Sequence, residues 1–110
     1  MYFTIDSLPY GVVVKCDGKL NAASVTDFRD TVESFIINYK GTVFVDLAMV
    51  DFVSSAGIRA FLLMYRTADE TAKKYKVNIN DVVKLINMRP EIKEVLDMSG
   101  LTDTIDNMTE

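Results

Sequence analysis

The chain alternates between two hydrophobic periods. Tyr2 to Ser7 has the alternation of a short first strand, and Pro9-Tyr10-Gly11 reads as a turn. Val12-Val13-Val14-Lys15-Cys16 is rich in β-branched residues and runs on toward Leu20. The two-residue period puts Val12, Val14 and Cys16 on one face, and Asp17-Gly18 marks a bend or bulge. The period then changes. Asn21 or Ser24 stands ready to cap a helix, and Ser24 with Asp27 resembles a capping box. Val25, Phe28, Val32, Phe35, Ile36 and Tyr39 recur at helical spacing, with Asp27, Arg29, Asp30 and Glu33 off that stripe. Lys40-Gly41 ends the element.

Thr42 to Leu47 is a nearly continuous apolar run, which predicts a strand buried on both faces. Val50 to Val53 is a second short apolar piece. Ser54 and Ser55 open a helical stripe through Ile58, Phe61, Leu62, Tyr65, Ala68, Ala72 and Tyr75. Val82 to Met88 predicts another strand. Arg89-Pro90-Glu91 begins a short helix with Ile92, Val95 and Leu96 facing inward, and Ser99-Gly100 ends it. Thr102 to Met108 is expected as an edge strand. The predicted order is β-β-α-β-α-β-α-β, a single α/β domain over residues 1–110 with a mixed, partly parallel sheet.

Composition narrows the function. The 110 residues are 49% hydrophobic and 25% charged, as in an ordinary globular domain with one core. The formal charge of -4, with scattered Lys and Arg, argues against a nucleic-acid partner. No stretch is long enough to span a membrane, and Met1 to Asp6 lacks the basic and apolar regions of a signal peptide. One cysteine, Cys16, excludes an internal disulfide and reads as a small core residue; together these features fit the cytoplasm. The absence of histidine removes the commonest general base and metal ligand, and every Ser-His or Cys-His nucleophile pair. Asp46 and Asp51 have no acid-base partner or metal motif beside them and read as loop and surface groups. No nucleotide motif, cofactor motif or metal-ligand cluster is present, so the expectation is a binding protein rather than an enzyme.

The informative segment runs from Phe44 to Leu62: a buried strand delivers the chain to a helix start holding Ser54 and Ser55, with Gly57 just inside. Taken alone, either serine is better explained as a helix cap than as a functional hydroxyl. The segment nevertheless resembles the signature of the STAS family, the domain of sulfate transporters and anti-sigma factor antagonists. Gly18-Lys19-Leu20-Asn21 resembles that family's Gly-x-Leu-Asp, and Glu94 to Leu101 resembles its Val-Leu-Asp-x-Ser-Gly-Leu. The three matches fall in the family's order along nearly the whole chain.

The resemblance implies a partner switch. The unphosphorylated antagonist binds an anti-sigma factor that is also a serine kinase, phosphorylation releases it, and a serine phosphatase resets it. Aligned through Gly57, the acceptor is Ser55, with Ser54 a second candidate, and the partner surface comprises Ser54, Ser55, Ala56, Gly57 and Arg59. Two positions depart from the family pattern: Ser54 stands where the family has Asp, and Ala56 follows the acceptor. Arg59 lies four residues after Ser55, within reach of a phosphate there, though an exposed solubilising arginine explains it equally well. The alternative is a STAS scaffold or accessory subunit, for instance of a lipid transport system, with no phosphorylation switch.

Overall fold

The computed structural model describes residues 1–109. Strands β1 (Tyr2–Leu8) and β2 (Gly11–Leu20) form an antiparallel hairpin across the Pro9-Tyr10 turn. Helix α1 (Val25–Ile37) carries the chain to β3 (Thr42–Val53), parallel to β2. Helix α2 (Ser55–Tyr75) and a single turn, α3 (Ile79–Val82), lead to β4 (Val83–Ile86), parallel to β3. Helices α4 (Pro90–Met98) and α5 (Thr102–Asp106) complete the described chain. The sheet order is β1-β2-β3-β4, so the expected α/β class and mixed sheet are present, with β2 and β3 inside.

The core lies between the sheet and the two long helices. Val14, Cys16, Val43, Val45 and Leu47 supply the sheet side. Phe28, Val32 and Ile36 of α1 and Phe61, Met64 and Ala68 of α2 supply the helix side, with the Phe28 and Phe61 rings edge to face at 5.7 Å. The α1 stripe is the expected one; on α2, Met64 takes the buried place expected of Leu62 and Tyr65, which are half-buried.

Several details differ from expectation. Strand β3 is buried on one face only: Val43, Val45 and Leu47 are covered, while Phe44 and Asp46 remain half-exposed. The two apolar pieces, Thr42 to Leu47 and Val50 to Val53, are one strand. Its register against β2 slips between Lys15 and Asp17 and again between Gly18 and Leu20, and each time the extra residue lies on β3. Ser24 does not form a capping box. Its hydroxyl donates to the Lys19 carbonyl at 2.6 Å, and Asn21 Oδ1 accepts the Ala23 and Ser24 N–H groups instead. Val95 turns outward, because Ile92 and Leu96, four apart, already fill the buried stripe of α4.

The last segment is a helix, not the expected edge strand. Ile105 and Met108 are both buried and three residues apart, a helical spacing. The Met108 carbonyl accepts the Leu85 N–H at 2.7 Å, so the outer edge of β4 is met by one backbone bond rather than a ladder. Lys93 ties the two C-terminal helices, reaching Asp97 at 2.6 Å and Asp106 at 3.2 Å. The hydrogen bond from Lys93 holds the Asp97 carboxyl below its ordinary range.

Glu33, expected on the polar face of α1, is buried. Its carboxylate accepts Arg29 Nε at 2.5 Å and Nη2 at 3.2 Å, and Thr67 of α2 donates its hydroxyl at 2.7 Å. A buried carboxylate is tolerable only with its oxygens bonded in this way. Removing it breaks these charged hydrogen bonds: Thr67 keeps only its 3.3 Å bond to the Leu63 carbonyl, and Arg29 turns to solvent. Glu33→Ala is therefore expected to lower stability by about 1–3 kcal/mol. Urea unfolding should show a lower midpoint with an unchanged slope.

Candidate functional site

The carboxyl ends of the parallel strands are where an open α/β sheet presents its loops and helix starts. Here β3 turns directly into α2. The Ser54 N–H donates to the Leu20 carbonyl at 2.9 Å, pinning the junction to the end of β2. Ser54 itself is extended (φ -85°, ψ 177°), and its carbonyl accepts the Ile58 N–H at 2.9 Å, opening the helix. Gly57 comes next to the same strand end. A Cβ there would stand 2.7 Å from the Leu20 carbonyl oxygen and 3.0 Å from side-chain carbons of Leu20 and Val53. Glycine is needed at this position for close approach, since any side chain would lift the first turn off the sheet.

The two serines occupy different environments. Ser54 is half-buried, and its hydroxyl accepts the Gly57 N–H at 3.4 Å, the geometry of a helix N-cap. Ser55 is exposed, and no hydrogen bond holds its hydroxyl among the described residues. The first turn of α2 contains no acidic side chain, while Lys73 and Lys74 lie in its last turn. The N-terminus of this 21-residue helix thus presents free N–H groups and an uncompensated positive dipole end beside Ser55.

The remaining expected residues divide. Arg59 is exposed one turn along α2 and makes no ion pair among the described residues. Ala56 is half-buried beside it. Gly57, placed by sequence in the partner surface, is buried; its contribution is to seat the helix. Asp46 and Asp51 do not form a pair. Asp46 lies on β3 rather than in a loop and accepts the Ala48 N–H at 3.0 Å and Asn87 Nδ2 at 3.2 Å, while Asp51 meets Lys19 at 3.7 Å. Among the described residues, no group of three His, Cys, Asp or Glu side chains is arranged to hold a metal ion.

The structure adds two residues that sequence reasoning passed over. Met49 and Phe52 are 55% and 44% exposed near the end of β3, with Lys19 Nζ 5.4 Å from the Phe52 ring centre. Both belong to an apolar run and were indistinguishable from core. The register slips in β3 turn them outward, and nothing in the local sequence marks those slips.

Comparison with known proteins establishes the family and the fold. The chain belongs to the STAS domain family: the family model described as Mlab, STAS domain, matches residues 3–109. BtrV of Bordetella bronchiseptica, a protein named as an anti-sigma factor antagonist, is 28% identical over 101 residues, covering 91% of this chain and 79% of that protein. Among solved structures, an anti-sigma factor antagonist from Mycobacterium paratuberculosis superposes with a TM-score of 0.71 at 14% identity, covering 94% of this chain and 80% of that one. The antagonist SpoIIAA in its unphosphorylated form gives 0.67 at 21% identity, covering 93% and 84%. Bacillus SpoIIAA in its phosphorylated form gives 0.66 at 19% identity, covering 99% and 89%. At these identities the structural likeness establishes the fold. No helix among the described residues is long and apolar enough to cross a membrane.

Two outcomes follow from the geometry. Ser54→Ala should cost about 1 kcal/mol of stability through the lost cap. Ser54→Asp should instead stabilise by about 0.3–1 kcal/mol, because a carboxylate at the N-cap meets the helix dipole. Thermal melts of the two variants read this directly. For Cys16, burial pushes the thiol up to about 12, with the Asp46 carboxylate adding to the shift. The reactive thiolate is therefore absent at pH 8 in the folded protein. Iodoacetamide should leave Cys16 unmodified under native conditions and alkylate it fully in denaturant.

Proposed function

We propose that the chain is an anti-sigma factor antagonist, a non-catalytic binding switch acting in the cytoplasm. Unphosphorylated, it binds an anti-sigma factor that is also a serine kinase, and so frees a sigma factor. The kinase transfers the γ-phosphoryl group of ATP to the Ser55 hydroxyl, leaving ADP, and the complex comes apart. A serine phosphatase hydrolyses the phosphoserine and restores binding.

The observation that carries this reading is the exposed, unbonded Ser55 hydroxyl at a helix N-terminus with no acidic side chain in its first turn. A phosphate brings roughly -1.5 to -2 charges at neutral pH. The free N–H groups and dipole of α2 accommodate an anion there, so the domain stays folded when modified. The likeness of this fold to SpoIIAA in both its unphosphorylated and phosphorylated forms supports the same point. A partner docked over Ser55 would face a newly buried, unpaired charge, at a cost of about 2–5 kcal/mol, or about 30-fold to several-thousand-fold in affinity. That is enough to end a complex. Ser54 replaces the family's Asp, which alters what the kinase reads beside the acceptor.

Incubation with the kinase and ATP should place phosphate on Ser55, located by mass spectrometry. Ser55→Ala should bind the anti-sigma factor and stay bound when ATP is added; Ser55→Asp should bind more weakly, one carboxylate being a poor copy of a dianion. Phosphate found only on Ser54 moves the acceptor by one position. No phosphate on either serine, or equal calorimetric affinities for the two folded Ser55 variants, would instead indicate a STAS scaffold without a switch.

A further inference from the structure

A groove of about 260 Å³ runs between α1 and α2 beside the switch. Ala56, Ala60 and Leu63 line it from α2, one below another along a single helix face, and Val25 lines it from α1. The small side chains of Ala56 and Ala60 leave the space between the helices open. Arg59 stands at the α2 rim, and Arg29 and Asp30 stand on the α1 side. The volume lies below the roughly 300–1,000 Å³ of small-molecule pockets, so it suits one or two inserted side chains.

The charges of the groove are not equivalent. The Arg29 guanidinium is already taken by Glu33. Arg59 has no counter-ion among the described residues, although the chain as a whole is acidic, at -4. Side chains on a helix lean toward its N-terminus, so Arg59 leans back toward Ser55, one turn before it.

We propose that this groove docks a partner segment carrying an apolar side chain beside an Asp or Glu, with the carboxylate on Arg59. Asp30 sets the orientation: like-charge repulsion keeps the incoming carboxylate off the α1 wall and on the α2 rim. The inference rests on Ser55 as the switch and adds to how the switch works. A phosphate on Ser55 is a stronger, intramolecular ligand for the same guanidinium. Phosphorylation then removes the partner's counter-ion as well as placing charge in its path.

Two measurements test this. The first uses the serine-kinase anti-sigma factor of the preceding experiment, with ATP absent. Arg59→Glu should weaken binding by about tenfold or more, and Arg59→Lys should lose only a few-fold because the charge remains. Wild-type affinity should also fall more steeply with added salt than that of Arg59→Ala. The second needs no partner. With phosphoserine installed at position 55 during translation, phosphorus NMR should show the second phosphate ionisation about half a pH unit lower in the wild type than in Arg59→Ala. Arg59→Glu binding like the wild type, or identical phosphate titrations, overturns the inference. If Ser55 phosphorylation still releases the partner in that case, the proposed function stands without it. If the anti-sigma factor binds no form of the chain, the proposed function fails, and the titration alone decides the Arg59 contact.

Discussion

Everything at the site depends on how closely the first turn of α2 sits on the end of β2. The Ser54 N–H bonded to the Leu20 carbonyl and the bare Cα of Gly57 against the same oxygen hold that contact. The consequence is geometric. With Ser54 and Gly57 turned into the sheet, the helical twist sends Ser55 outward and puts Arg59 above it on the rim. A side chain at position 57 would move the turn and with it the free N–H groups that make the spot tolerant of an anion. Gly57 is therefore a packing requirement, and the exposure of Ser55 follows from it.

In the proposed switch the same junction separates stability from signalling. The core that holds the domain together lies below it, in Phe28, Phe61 and the apolar face of β3. The buried Glu33–Arg29–Thr67 contact locks α1 to α2 farther along the helices. The phosphate proposed on Ser55 would touch neither. The proposed switch needs this arrangement, because a domain stable by only about 5–15 kcal/mol could not absorb a charge placed in its core.

How much of this was legible in the sequence follows from the range of the forces involved. Helices α1 and α2 declared themselves through local periodicity, which survives in any context that buries one face, whereas β3 showed only as two apolar runs whose joining and one-sided burial depend on the sheet. Position 102 to 108 did not. Its polar threonines, aspartates and asparagine resemble an exposed strand, and the contact that holds the helical alternative, Leu85 to Met108, spans distant parts of the chain. Glu33 looked like surface because its partner Thr67 lies 34 residues away on another helix. The exposure of Met49 and Phe52 depends on two register slips against β2 that leave no local mark. At the site, the resemblance singled out Ser55, but only the fold shows why its neighbour does something else: Ser54 caps and Ser55 faces solvent.

Ser54, where the STAS signature that the chain resembles has Asp, bears on the strength of the proposed switch. An aspartate at the N-cap would already neutralise part of the helix dipole and would sit next to the incoming phosphate, two anions sharing one helix end. A neutral serine satisfies one backbone N–H, leaves the dipole uncompensated, and spares the phosphate that repulsion. The cap is weaker, as its 3.4 Å bond indicates, but the helix is otherwise anchored by Gly57 and the Leu20 carbonyl. The chain thus gives up a little local stability at a point where packing already holds the helix, and the full electrostatic end of α2 remains for the phosphate proposed on Ser55.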